Sequence, residues 1–158
     1  GDGFGQSIRM IASELGWILD RDLRTTHAMA ITKVDIETLV GRIDAGTVAA
    51  QRFTWEGTVN GEAVITVTVN WLMGEENLEP PWSLGEERFE IAFDADPPIS
   101  ATFHGLHPEE VGEEVNVGLI APAMHCVNAI PYVVPAAPGF VTYLDLPLIA
   151  GRGTQGSK

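Results

Sequence analysis

The feature that most constrains this chain is the dipeptide Asn60-Gly61, set between two runs of strand-forming residues, Gln51 to Val59 and Glu62 to Met73. Asn-Gly tolerates the left-handed backbone of a tight hairpin turn, so the two runs are expected to pair antiparallel. Side-chain parity then decides the register. A two-residue loop would set Trp55 opposite Thr66 and Phe53 opposite Thr68, which puts the apolar sets of the two strands on opposite faces. A three-residue loop, Val59-Asn60-Gly61, pairs Trp55 with Ile65 and Phe53 with Val67. It gathers Phe53, Trp55, Ile65, Val67, Val69 and Trp71 on one face and Arg52, Thr54, Glu56, Thr66, Thr68 and Asn70 on the other. A slip of one residue moves an apolar row into water at about 1.5–3 kcal/mol per large side chain. The three-residue loop is therefore the expected register.

Other elements group around this hairpin. Ile8, Ile11, Leu15, Ile18 and Leu19 recur at helical spacing, predicting a helix over about 5–20. Gly41 and Asp44-Ala45-Gly46 read as turns within residues 22–60. Residues 74–86 form a polar loop carrying Pro80-Pro81 and Trp82. Short strands are expected over 87–94 and 99–104, separated by Pro97-Pro98. A second, apolar helix is expected from Val117 to Ile130, with Pro122 either in its first turn or kinking it. The tail from Pro131 to Gly151 holds four prolines, Pro131, Pro135, Pro138 and Pro147, and should be extended. The result is an α+β domain on a largely antiparallel, open sheet with helices on one face. At 158 residues the chain is read as one domain spanning 1–158.

Charge narrows the partners. Twenty-two acids against nine bases give a net charge of −13. Such a field repels phosphate backbones and anionic lipid, so neither nucleic acid nor a membrane is an expected partner. No apolar run approaches a membrane span, and no basic-then-apolar leader is seen. Cys126 has no second cysteine to pair with inside the chain, which fits a reducing cytoplasm, and it reads as a buried, inert thiol.

Motifs for chemistry are sparse. Gly1-Asp2-Gly3-Phe4-Gly5 has the glycines of a phosphate loop, but no strand precedes it and the spacing is wrong for a dinucleotide. His104 and His107, with Glu109 or Glu110, could be drawn as metal ligands, but no third or fourth ligand at characteristic spacing supports the two histidines, which read as surface residues. Glu109, Glu110, Glu113 and Glu114 read as carboxylates before a helix start, where the helix dipole favours them. His125 and Cys126 are adjacent on a helix and diverge by about 100°, so they do not form a reactive pair. No metal site and no hydrolase constellation is expected, which makes a metal-dependent hydrolase a remote reading. Trp55 and Trp71 read as core in preference to walls of an aromatic pocket. The polar row Arg52, Thr54, Thr66, Thr68 and Asn70 is either solvated or a wet subunit interface.

Two stretches carry a resemblance. One is Ala45-Gly46-Thr47-Val48-Ala49-Ala50-Gln51-Arg52-Phe53-Thr54-Trp55. The other is Asn128-Ala129-Ile130-Pro131-Tyr132-Val133 with Pro138-Gly139 and Leu144-Asp145-Leu146-Pro147. Together they resemble the C-terminal half of actinobacterial proteins in the dihydrodipicolinate reductase-like group, which includes 2,4-diaminopentanoate dehydrogenase and related NAD(P)H-dependent amine dehydrogenases. The resemblance runs from Gly3 to about Leu148. It implies a dihydrodipicolinate reductase-like C-terminal domain that shapes the substrate side of a cleft and assembles dimers or tetramers through its sheet. NAD or NADP would be held by a Rossmann domain that this sequence lacks, with a small amine or imine as substrate, and the piece should be inactive alone. Under that reading Arg52, Thr54, Thr66, Thr68 and Asn70 form the oligomer interface. His125 and Asn128 line the cleft, and Pro138-Gly139 serves the backbone. The rival reading is a stand-alone, non-enzymatic module that binds a partner through its polar sheet face or a small ligand in an aromatic pocket.

Overall fold

A computed structural model describes residues 3–38, 41–104 and 117–150. The chain divides into two compact units, Gly1–Gly85 and Glu86–Lys158, each taken by itself below. Among the described residues the secondary structure is mostly antiparallel sheet with two helices, in keeping with an α+β domain.

The first unit holds helix α1 (Gly3–Glu14) and six strands: β1 (Arg24–Thr32), β2 (Ile36–Thr38), β3 (Gly41–Ile43), β4 (Val48–Val59), β5 (Glu62–Leu72) and β6 (Leu78–Glu79). Four of them form one antiparallel sheet in the order β5-β4-β1-β6, while β2 and β3 make a separate two-stranded ribbon. Helix α1 stops at Glu14, well short of the expected 20. Gly16 takes φ +69° and closes the helix, its N–H reaching Ser13 O at 3.1 Å while the N–H of Trp17 reaches Ala12 O at 2.8 Å. That pair of hydrogen bonds is the glycine-terminated helix end that satisfies the last carbonyls, and it overrides the apolar spacing of Ile18 and Leu19.

The hairpin corrects the expected loop but keeps its parity. Val59 pairs with Glu62, so the loop is the two residues Asn60 (φ 54°) and Gly61 (φ 82°), both left-handed as a type I′ turn requires. The register then shifts between Gly57 and Thr58: Thr58 faces Ala63 and Gly57 faces Ile65, leaving Val64 as the extra residue of a bulge. From there Trp55 faces Val67 and Phe53 faces Val69. The apolar row is thus restored to one face by a bulge, where a longer loop had been expected. Along β5 the row Ile65, Val67 and Val69 is half-buried while Thr66 and Thr68 are exposed.

Asp20 fastens the turn. Its carboxylate accepts from the Thr58 hydroxyl at 2.7 Å, Gly61 N–H at 2.9 Å and Asn60 N–H at 3.2 Å, and its own N–H donates to Thr58 O at 2.8 Å. Helix α1 lies on the apolar face. Phe4 stacks on Trp55 with centroids 4.8 Å apart, and Ile8, fully buried, sits over Gly57. On the opposite face, beyond Arg52, a small core forms from Ala30, Ala49, Ala50 and Leu78, with Ile36, Ile43, Leu72 and Trp82 packed against it.

The second unit contains β7 (Phe89–Phe93), β8 (Ile99–Phe103) and α2 (Val117–Val133). The two strands form a hairpin whose register gathers Phe89, Phe103, Ile91, Phe93 and Ile99 on one exposed face. Pro122 is the sixth residue of α2, so it lies inside the helix, beyond its first turn. Pro131 also lies within it, and the helix runs on to Val133, so the extended tail begins later than Pro131. Cys126 is exposed, against the expectation of a buried thiol. His107, Glu109, Glu110, Glu113 and Glu114 lie outside the described residues.

Two outcomes follow from the hairpin. A Cβ at Gly57 would lie 2.8 Å from Ile8 Cγ2 and 3.0 Å from Leu19 Cδ1. Gly57→Ala should therefore lower unfolding stability by about 1–3 kcal/mol in denaturant titration; an unchanged midpoint would contradict the α1 packing. The Thr58 hydroxyl first, then Gly61 N–H, hold the Asp20 carboxyl below the ordinary value of 3.8, with Asn60 N–H adding and desolvation opposing. A folded value lowered in this way gives stability that is full above 3.8 and is lost as pH falls through the folded value. Asp20→Asn should melt below wild type at pH 7, and the gap should close in strong acid.

Candidate functional site

The four-stranded sheet offers two surfaces of different chemistry. On the apolar face α1 covers the turn end and leaves an aromatic shelf at the other. His27 stacks on Phe53 at 4.1 Å and is held by Gln51 Oε1, 3.1 Å from Nε2. Phe53 in turn contacts Trp55 at 5.8 Å and meets Trp71 edge-on at 5.5 Å. Trp71 is 55% exposed, so it is not a core residue as the sequence suggested. Nothing in the spacing of the tryptophans pointed to His27; it joins them because β1 pairs with β4 and places it opposite Phe53.

The polar face brings together all five residues expected there. Cross-strand pairing sets Arg52 beside Asn70, Thr54 beside Thr68 and Glu56 beside Thr66. Arg52 Nε donates to Asn70 Oδ1 at 2.7 Å, and the Thr54 and Thr68 hydroxyls lie 3.2 Å apart. Arg24 extends the row through β1, donating to Glu56 Oε2 at 2.8 Å and to Gly61 O at 3.0 Å. Trp82 comes from the polar loop to lie under the Arg52 guanidinium, 4.8 Å from its carbon to the ring centroid. Sequence reading left Trp82 without a role, because a loop residue has no periodicity to betray which face it covers.

A groove of about 480 Å³ between the β1–β2 link and the segment after β5 is lined by Asp35, Glu37, Glu75 and Glu76. Two of these carboxylates are already engaged. Asp35 holds Arg42 and accepts from Ala45 N–H at 2.8 Å. Glu75 accepts from Leu84 N–H at 2.8 Å and Gly85 N–H at 3.3 Å. No group of three or more side chains suited to a metal ion occurs among the described residues.

In the second unit His125 and Asn128 stand one turn apart on α2 and so share a face. His125 is exposed, with its ring 4.9 Å from that of Tyr143, and Asn128 is half-buried. The Tyr143 contact ties the helix to the Leu144-Asp145-Leu146-Pro147 segment. That segment is a locked turn: Asp145 Oδ2 accepts from Thr142 N–H at 2.7 Å and from its hydroxyl at 2.8 Å, while Asp145 N–H donates to Thr142 O at 3.1 Å. Gly139, at φ +148°, holds a backbone conformation that side-chain-bearing residues rarely adopt, which is reason enough for a glycine after Pro138.

Comparison with known proteins then places the chain. It belongs to the family of 2,4-diaminopentanoate dehydrogenase C-terminal domains, whose model matches residues 2–155. An amine dehydrogenase of Streptomyces virginiae is 30% identical over 160 residues, covering 98% of this chain and 43% of that protein. A 2,4-diaminopentanoate dehydrogenase of Acetoanaerobium sticklandii is 31% identical over 146 residues, covering 92% of this chain and 37% of that protein. The chain thus spans less than half the length of both relatives. No helix among the described residues is long and apolar enough to cross a membrane.

The Asp145 turn supplies a direct check on its geometry. Thr142 N–H first, then the Thr142 hydroxyl, hold the Asp145 carboxyl below its ordinary value, against a smaller opposing desolvation. Thr142→Val should raise its titration midpoint part of the way back, read by carboxyl carbon NMR; an unmoved midpoint would rule out the hydroxyl contact.

Proposed function

We propose that this chain is the substrate-side and assembly domain of an NAD(P)-dependent oxidoreductase acting on a carbon–nitrogen bond. The observation that carries the reading is family membership over nearly the whole chain, with relatives whose names specify dehydrogenation of an amine or a diamino acid. The substrate is a small amine or the corresponding imine. A nicotinamide cofactor would accept or deliver hydride at the carbon of that bond, and a protein's part in such chemistry is orientation and electrostatics.

The described residues do not fit the dinucleotide. A pyrophosphate is cradled where a strand turns through glycines into a helix N-terminus. Helix α1 is followed by β1 and preceded by no described strand, and the net charge of −13 opposes phosphates. No hydride step is derived from these residues. Cofactor binding is assigned to a Rossmann domain beyond this sequence, residues 1–158 act as a single functional domain, and its sheet fold is of the dihydrodipicolinate reductase type.

Within that reading the polar face carrying Arg52, Thr54, Thr66, Thr68 and Asn70 serves self-association into dimers or tetramers in the cytoplasm. Paired hydroxyls, an amide and a guanidinium suit a wet interface, since they can exchange water for a partner's polar groups without an unpaired penalty. His125 and Asn128, on one face of α2, are assigned to the substrate cleft. The non-enzymatic alternative is favoured by one observation, the open aromatic shelf of His27, Phe53 and Trp71, whose stacked rings could hold a flat apolar ligand.

Two measurements test the reading. Residues 1–158 alone, assayed with NADH or NADPH and candidate amines, should show no turnover; clear turnover would overturn the division of labour. Thr68→Glu places a charge in the middle of the polar face and should weaken association by tenfold or more in sedimentation equilibrium. An assembly indifferent to that charge would move the interface elsewhere.

A further inference from the structure

The polar face contains a cation that is held in place but not neutralised. Arg24, on the same face, is committed to Glu56 and to the Gly61 carbonyl. Arg52 instead meets two uncharged groups. Its Nε donates to Asn70 Oδ1 at 2.7 Å, and its guanidinium carbon lies over the Trp82 ring, 4.8 Å from the centroid. These contacts hold the group in place and engage its Nε. Its two terminal nitrogens have no acceptor among the described residues, although the side chain is half-buried.

The neighbours of Arg52 on the sheet surface are small or uncharged. Its neighbour across the β1–β4 pair is Ala28, whose methyl group is the smallest side chain that still faces the sheet surface. One register step away lies the Thr26, Thr54 and Thr68 row, with the last two hydroxyls 3.2 Å apart. Trp82 walls the side toward the Ala50 and Leu78 core. A planar guanidinium with two free parallel N–H bonds matches the two oxygens of a carboxylate, and the match is stronger where water is partly excluded. A doubly charged phosphate fits less well, because one cation must offset it in a chain of net charge −13.

We propose that the free edge of Arg52, pre-set by Asn70 and Trp82 beside Ala28, binds a carboxylate group. The carboxylate comes either from a small organic acid or from an acidic side chain of a second copy of this chain. The clamp does not depend on the redox reading, since it would persist in a protein that transfers no hydride; its second-copy source rests on the proposed self-association through the same face.

The test titrates the protein with pentanoate, and with pentanamide and pentylammonium as probes of the same length lacking the carboxylate. The readout is the NMR signals of the Trp82 indole N–H and Arg52 Nε–H. Pentanoate should shift both saturably and the two controls should not, and Arg52→Lys should weaken pentanoate at least tenfold with the amide spectrum otherwise retained. Pentanoate should also slow phenylglyoxal modification of Arg52 in the unaltered protein, a measurement that requires no variant to fold. If pentanoate moves nothing but Arg52→Lys raises the self-association constant for dissociation tenfold, the carboxylate belongs to the second copy and the clamp stands. The proposal is overturned if pentanamide matches pentanoate, if Arg52→Lys binds pentanoate as wild type does, or if neither binding nor assembly depends on Arg52.

Discussion

The pairing of β4 with β5 is the constraint on which the rest of the first unit depends. A tight Asn60-Gly61 turn, taken alone, sets Trp55 against Thr66 and mixes the two chemistries on each face. One extra residue, Val64, opposite the Gly57–Thr58 step restores the parity. Undoing it would turn Ile65, Val67, Val69 and Trp71 away from Phe53 and Trp55 and lose their partial burial, a fraction of the about 1.5–3 kcal/mol that fully burying each side chain contributes. The bulge sits where two other requirements meet. Thr58 must turn its hydroxyl to Asp20, and Gly57 must present no Cβ to Ile8 and Leu19. The turn, the bulge and the seat of α1 are therefore one construction.

The consequence is a sheet with a division of labour between its faces and a thin interior. Among the described residues the largest fully buried side chains are Ile8, Leu78 and Thr32. Stability in the first unit rests on α1 at one end of the apolar face and on the Ala30, Ala49, Ala50 and Leu78 cluster at the other end of the opposite face. Between these anchors lie the aromatic shelf and the hydroxyl row. Strands that are anchored at their ends and open in the middle hold surface side chains in fixed register, which is what recognition needs. The second unit shows the same economy: its hairpin pairs Phe89 with Phe103 and Phe93 with Ile99 yet leaves those side chains exposed.

Much of this was legible in the residues because alternation is a strong signal. The two faces and the membership of the polar row followed from Gln51 to Met73, and the family from Ala45 to Trp55 with the closing segment. The signals that failed were local and stereochemical. Apolar spacing carried the first helix to residue 20, but a left-handed Gly16 with two backbone bonds ended it at Glu14. Proline at 131 was read as the end of a helix, yet an exposed last turn tolerates the lost bond and runs to Val133. Cys126 was placed inside on residue type and Trp71 on its place in the apolar row, but both are exposed, since membership of an apolar face does not guarantee that anything covers it. His27 and Trp82 could not be found at all, since both act through strand order and loop path, and neither leaves a period in the sequence.

Charge and burial together set Arg52 apart: among the described arginines it is the half-buried one. The chain carries 22 acids and 9 bases, so most cations should be consumed by local carboxylates or carbonyls. Arg42 is taken by Asp35 and Asp44, Arg88 by Glu90 and the Glu86 carbonyl, Arg24 by Glu56, and Arg9 by the Arg21 carbonyl. Those pairs are mostly exposed, where each contributes little beyond about 1 kcal/mol. Arg52 departs from the pattern because its strand neighbours are Ala28 and Asn70. An amide fixes its direction without cancelling its charge, and an indole lies against it without cancelling that charge either. In a strongly acidic molecule, a guanidinium surrounded by neutral groups on an otherwise hydroxyl-lined surface concentrates attraction for a carboxylate at one point, and the surrounding negative field sharpens the discrimination by rejecting anions everywhere else.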